Sequence, residues 1–310
     1  MPALTAAGAA YSAGMNHLRP AVSDDAAALT ELLARCEAVD GFPSLSEFKA
    51  LRVPVADAVC SVVGEGDDGL AALGVAAWHE ARDGEGAGYW AGEIVVDPSQ
   101  RSTAGYLRVL DALVNETAAE VSWWTFSDQQ RAAASAGGMV EIRALVLMEL
   151  PLPADPAVLP RGLTVRRFEV GADEADWLVL NRRVFGGHPE AGSIDTADLE
   201  LRMAQPWFDA DGFLILFHGD EPLGYCWTKR HSAEVGEIYM IGLVPEARGR
   251  GLARPLTGAG LAYLNSSGAT RVILYADAAN EPAIGLYRSM GFQTVRRVAL
   301  FVPERESVAD

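Results

Sequence analysis

Two short stretches near the end of this 310-residue chain carry residue types that could do chemistry. The first runs Gly236-Glu237-Ile238-Tyr239-Met240-Ile241-Gly242-Leu243-Val244-Pro245-Glu246-Ala247-Arg248-Gly249-Arg250-Gly251-Leu252-Ala253. It reads as an apolar strand, a proline-started turn, a basic glycine-rich loop and then a helix. The N–H groups of such a loop, with the helix N-terminus behind it, form a cradle for an anion such as a pyrophosphate. Gly249 and Gly251 let the backbone come close to a ligand, and Arg248 and Arg250 can add charge-assisted bonds to phosphate. Gly242, inside the strand, predicts a bulge or a close ligand approach. The second stretch, Asn280-Glu281-Pro282-Ala283-Ile284-Gly285-Leu286-Tyr287-Arg288-Ser289-Met290-Gly291-Phe292, reads as an Asn-capped helix with proline in its first turn. Tyr287 falls late in that helix, and a Gly-Phe turn leads into the last strand. A basic turn that merely caps a helix would explain the loop alone; the strand before it and the helix after it favour a binding site.

The elements that must position these residues are repeated. Four prolines between 151 and 160 exclude helix or central strand there and predict a semi-rigid connector between two halves. Both halves then show one order of signals: short strand, acid-capped helix, two apolar strands, a strand ending in proline, a loop and helix, and a closing strand-helix-Gly-strand. The helices fall at 24–38 and 173–185, the strand-Pro steps at 93–98 and 237–245. This order predicts an α/β fold of two tandem domains, each a mixed, mostly antiparallel sheet flanked by helices. The expected boundaries are a disordered leader (1–15), a first domain (16–150), the linker (151–160), a second domain (161–303) and a tail (304–310). The segment 80–88, rich in Gly, Asp and Glu, reads as a hairpin loop.

Composition narrows the function. A net charge of −17 argues against a nucleic-acid partner, since phosphate binding needs clustered positive charge. Cys36, Cys60 and Cys226 have neither metal-ligand nor C-x-x-C spacing, so no metal is expected and they read as small buried residues in a reducing compartment. The leader lacks the basic and apolar regions of a signal peptide, and no apolar run nears the ~20 residues needed to cross a bilayer. A cytoplasmic, monomeric protein acting on a small molecule, with no membrane partner, is the expectation.

The R-x-x-G-x-G/A loop at 248–253 and the N-x-x-A-x-x-x-Y-x-x-x-G-F pattern at 280–292 resemble the GNAT acetyltransferase superfamily. That resemblance implies direct acyl transfer from acetyl-CoA to an amine over residues 161–303. It places acetyl-CoA on Ile241, Gly242 and Leu243, on Arg248, Gly249, Arg250, Gly251, Leu252, Ala253 and Arg254, and on Asn280, Ala283 and Gly285. Attack needs a deprotonated amine, which makes Glu237 the candidate base, and the departing thiolate gains from an acid, which makes Tyr287 the candidate acid. The Leu243 N–H is the expected donor to the thioester oxygen.

The first half lacks these parts. Aligning Pro98 with Pro245 sets Ala104 at Gly251, Tyr106 at Ala253 and Trp90 at Glu237, leaving Gly92-Glu93-Ile94 out of register with Gly236-Glu237-Ile238. Aligning Gly138 with Gly291 sets Ala134 at Tyr287. A catalytically silent domain is predicted, with Ile94, Val95 and Val96 as a second acetyl-CoA site only if the loop tolerates Tyr106. The whole chain is similar to the mycothiol synthase family of actinobacteria, through residues 181–190, 207–212, 224–229 and 236–239. That similarity implies acetylation of the cysteinyl amine of cysteinyl-glucosaminyl-inositol, and a substrate grip by Asp40, Glu190, Lys229, Glu237 and Tyr275. A peptide N-terminus or an aminoglycoside as acceptor, or an acyl-CoA-sensing pseudoenzyme, stay open at this point.

Overall fold

The computed structural model describes residues 15, 17–53, 59–79, 88–154, 158–186, 192 and 194–304. Contacts divide the chain into two units: residues up to Arg143 together with the segment from Val298, and Ala144–Arg297. The first contains β1 (His17–Pro20), α1 (Ala26–Asp40), α2 (Glu47–Ala50), β2 (Val59–Gly66), β3 (Gly69–His79), β4 (Tyr89–Val96), α3 (Thr103–Thr117), β5 (Val121–Thr125) and α4 (Asp128–Ala136). A long strand, β6 (Met139–Pro151), begins there and ends in the second unit.

The second unit continues with β7 (Leu163–Arg167), α5 (Glu174–Phe185), α6 (Thr196–Met203), β8 (Phe213–His218), β9 (Glu221–Arg230), β10 (Val235–Leu243), α7 (Ala253–Ser266), β11 (Arg271–Asp277) and α8 (Glu281–Ser289). The last strand, β12 (Gln293–Pro303), starts in it and finishes in the first unit. The short helices α2 and α6 carry no strong sequence signal and were not among the expected elements.

Each sheet has the same plan. In the first unit β1, β2, β3 and β4 are antiparallel neighbours, β5 joins β4 in parallel, and β12 closes on β5. In the second, β7, β8, β9 and β10 are antiparallel, β11 joins β10 in parallel, and β6 closes on β11. The mixed, mostly antiparallel sheets match the expectation; the boundaries need correcting. The chain passes between units inside β6 rather than at the proline-rich stretch, and Pro151 is itself a strand residue opposite Arg271. No breaker interrupts residues 139–150, so the strand runs on, and its later part supplies the partner that the outer edge of β11 requires.

The duplication extends to an ion pair at the edge of each sheet. Arg19 of β1 grips Asp25 with two bonds of 2.8 and 2.7 Å, and Asp25 also accepts the Val22 N–H. Arg166 of β7 grips Asp173 in the same way, at 2.5 and 2.7 Å, and Asp173 accepts the Glu169 N–H. Behind the second sheet lies an aromatic core in which Trp177, Phe213, Tyr225 and Trp227 are almost fully buried. Trp227 stacks on Phe213 at 4.2 Å and meets Trp177 edge-on at 5.6 Å. Among the described residues no helix is long and apolar enough to cross a membrane. Apart from Met15 the expected leader lies outside the described residues, as do the segment 80–87 and the tail from 305.

Candidate active site

The loop between β10 and α7 has the backbone of an anion cradle. Gly249 and Gly251 adopt left-handed φ of 70° and 75°, a region that costs other residues energy, and a Cβ on either would point into open space. Leu252 precedes α7 without any side-chain cap, so the first amides of the helix are left for a ligand. Arg250 and Arg254 are exposed at this end, and Arg254 donates to Ser289 at the end of α8. Arg248 also has a structural task. Its guanidinium donates to the carbonyls of Leu243 (3.1 Å) and Val184 (2.8 Å), tying the loop to the end of α5.

Beside the cradle the sheet opens. Parallel pairing of β10 with β11 covers Val235, Gly236 and Glu237, opposite Arg271, Val272 and Ile273. Beyond it β10 runs on to Leu243, paired with β9 alone. Val244 donates its N–H to Leu223 on the β9 side at 2.9 Å. Strand alternation therefore turns the N–H groups of Leu243 and Ile241 to the opened side. The bulge in this strand falls at Tyr239, between the Ile238–Thr228 and Met240–Trp227 pairs, and not at Gly242. Gly242 is required by packing: a Cβ there would lie 2.2 Å from Val184 Cγ1.

Glu237 is buried on β10 opposite Lys229 of β9. Its Oε2 lies 2.7 Å from Nε2 of His231, a neighbour that the motif reading passed over. The signal was present: His231 stands two positions beyond Lys229, hence on the face that Lys229 shares with Glu237. Tyr275 is two positions beyond Ile273, which is level with Glu237, and so lies on that face as well, exposed. The Lys229 ammonium sits 4.8 Å from the Trp207 ring centre and 5.5 Å from that of the bulged Tyr239, whose hydroxyl accepts from buried Arg202 at 3.0 Å.

Tyr287 packs edge-on against Phe292 at 5.8 Å, and burial, with a smaller contribution from the Cys226 thiol, pushes its pKa up to about 12. In the same helix Gly285 is exposed with open space beside it. Asn280 is committed to capping: its side chain accepts the Ala283 N–H at 3.2 Å. Asp40 belongs to the first unit, where Arg101 holds its carboxylate with two bonds of 2.6 and 2.7 Å. Glu190 lies outside the described residues.

The corresponding segment of the first unit is built differently. Arg101 Nε donates to the Val96 carbonyl at 3.1 Å as Arg248 does to Leu243, which makes Val96 and Leu243 equivalent. From there Ser102, Thr103 and Ala104 replace Gly249, Arg250 and Gly251. Ser102 caps α3 by accepting the Gly105 N–H at 3.0 Å, and the helix begins at Thr103, so the cradle has become a helical turn. Parallel pairing reaches Glu93 opposite Trp124, leaving only buried Ile94, Val95 and Val96 beyond it. Tyr106 turns inward against Trp123 at 5.9 Å rather than crowding the loop. Glu93, at 2% exposure, is held by Lys49 at 2.9 Å and the Ser46 N–H at 2.7 Å. Because β4 has no counterpart of the Tyr239 bulge, equivalence upstream of that point shifts by one and sets Ala91, not Trp90, at Glu237.

Comparison with known proteins supports the same reading of the fold and loop. The Acetyltransferase (GNAT) family model matches residues 182–292. The chain is 38% identical to mycothiol acetyltransferase of Thermomonospora curvata over 85% of this chain and 90% of that one. It is 36% identical to mycothiol acetyltransferase of Actinosynnema mirum over 87% and 92%. The chain belongs to the mycothiol acetyltransferase family of GNAT proteins. Among solved structures it resembles a GCN5-related N-acetyltransferase from Sphaerobacter thermophilus, with a TM-score of 0.64, 24% identity and 92% and 94% of the two chains covered. It also resembles a tandem GNAT protein from the clavulanic acid biosynthesis pathway, with a TM-score of 0.66, 16% identity and 94% and 100% covered. The tandem GNAT architecture read from the repeated signals therefore holds.

Proposed function

We propose that the second unit transfers the acetyl group of acetyl-CoA to the cysteinyl amine of cysteinyl-glucosaminyl-inositol, the last step of mycothiol biosynthesis. The observation that carries the chemistry is the uncapped, glycine-turned cradle beside an opened strand on which Glu237 is buried. The choice of amine rests on kinship with proteins named mycothiol acetyltransferase. Acetyl-CoA supplies the acetyl group and a thiolate leaving group. Amides of residues 249–253 and the α7 N-terminus hold its pyrophosphate, with Arg250 and Arg254 alongside. The Leu243 N–H, aimed into the opening, donates to the thioester oxygen. Glu237 takes a proton from the acceptor's ammonium, and Tyr287 gives one to the sulfur. Lys229 and Tyr275, on the face of Glu237, bind acceptor oxygens.

Incubation with both substrates, followed by mass spectrometry, tests the assignment; absence of an N-acetylated product at saturating concentrations would sink it. The first unit is read as silent, because Ser102 occupies the helix amide that the cradle would offer and the parallel strands stay paired as far as Glu93. Titration with acetyl-CoA should therefore give one site per chain, and two equivalent sites would reverse that reading.

A further inference from the structure

The chemistry of amine acetylation leaves a proton to be disposed of. The acceptor enters as an ammonium and leaves as an amide. Its first proton goes to Glu237; the N–C bond then forms as the C–S bond breaks. Sulfur takes the Tyr287 proton, and the second proton on nitrogen replaces the one Tyr287 gave. Nothing is oxidised or reduced, and one proton is released per turnover: the one on Glu237. The Glu237 side chain is only 9% exposed, which makes a direct exit to water poor.

We propose that His231 is the relay through which this proton leaves. The idea deepens the reading of Glu237 as base and rests on it. Nε2 of His231 lies 2.7 Å from Oε2 of Glu237, within the range for direct proton transfer. The imidazole is the more accessible partner, at 21% side-chain exposure. It is held at the β9–β10 turn by its own backbone, the His231 N–H donating to the Val235 carbonyl at 3.0 Å. An imidazole suits the task because one ring nitrogen can take up a proton while the other gives one away.

The charged groups around the pair come from three strands. Lys229 stands on the same face of β9, two positions away. Arg271 is level with Val235 on β11 and is paired to Glu149 of β6. Tyr275 follows on β11. Lys229 packs on Trp207 and Tyr239, Arg271 is engaged by Glu149, and the His231 imidazole is in direct contact with the Glu237 carboxylate.

Steady-state acetylation of the cysteinyl acceptor by wild type, His231→Ala, His231→Gln and Glu237→Gln tests the relay, across neutral pH and with or without added imidazole. The glutamine at 231 keeps an N–H that can hold the carboxylate but cannot carry a proton away, and it guards against misfolding of the alanine variant. Both His231 variants should lose at least ~10-fold in kcat with KM for either substrate within about twofold, and imidazole should restore turnover in proportion to its concentration. Wild-type kcat in His231→Gln, or a slow variant that no concentration of imidazole restores, overturns the relay. Glu237→Gln separates the two readings. Its full activity would remove the base, whereas its inactivity beside fully active His231 variants would remove the relay alone.

Discussion

Tyr287 can act as an acid only while it holds its proton, and its surroundings keep it there. Burial disfavours the phenolate and raises the pKa to about 12. For a general acid the protonated form is the active one, so under the proposed role this contribution is lost only as pH rises through that raised value. An exposed tyrosine would be half ionised near pH ~10. The kcat profile should accordingly stay flat from about pH 8 to about pH 10, and a fall within that window would count against the assignment. Tyr287→Phe should lower kcat by roughly 100-fold with little change in KM for acetyl-CoA, the pattern of a group that acts only in the transition state. At this scale the sequence was a partial guide. Tyr287 and Glu237 stand in recognisable patterns, whereas Arg248 is identical in type to a phosphate ligand and yet serves two carbonyls. Which partner a guanidinium finds depends on where the end of α5 comes to rest, and no local pattern encodes that.

Between β10 and α7 the difference between a cradle and an ordinary helix start comes down to three residues. Placing the first-unit sequence there, by Gly249→Ser, Arg250→Thr and Gly251→Ala together, supplies an N-cap and removes both left-handed glycines. α7 should lengthen toward residue 250 and acetyl-CoA affinity should fall at least ~10-fold, since the freed amides are then used within the helix. Calorimetric titration checks this, and unchanged binding would exclude the cradle. The edge pairs make a second prediction for these elements. The guanidiniums of Arg19 and Arg166 hold the Asp25 and Asp173 carboxyls below the usual range. A depressed folded pKa stabilises above the unfolded value of ~3.9 and is lost as pH falls through the folded one. Asp25→Asn and Asp173→Asn should each cost about 1–3 kcal/mol at neutral pH, and the gap from wild type in urea unfolding should close below pH ~4. Glycines, prolines and caps made the cradle legible because they dictate backbone shape. The Tyr239 bulge was not legible, since no glycine marks it and Tyr239 is placed by tertiary contacts with Trp207 and Trp227 that no local pattern encodes.

Over the whole chain the two halves of the sequence and the two units of the structure are different divisions. The repeated order of signals predicts two similar sheets correctly, but periodicity describes a strand and not the neighbour it joins. β6, read from sequence as the closing strand of the first half, pairs with β11 from Leu145 to Pro151, and the later part of β12 pairs with β5 at Ala299, Leu300 and Phe301. A cut at the proline-rich stretch should therefore yield two incomplete pieces. Residues 158–310 keep the cradle, Glu237 and Tyr287 yet lack the strand that covers β11. Residues 144–297 contain every strand of the second sheet. The piece 144–297 should be the more stable of the two, with cooperative thermal unfolding and acetyl-CoA binding close to that of the full chain. The piece 158–310 should aggregate or melt earlier, because the bare edge of β11 exposes backbone groups and the apolar side chains that Met148 and Leu150 would cover. Adding residues 1–152 to it should restore stability by returning β6. Equal stability of the two pieces alone would show that strand pairing across β6 contributes little, and that the halves of the sequence are the folding units after all.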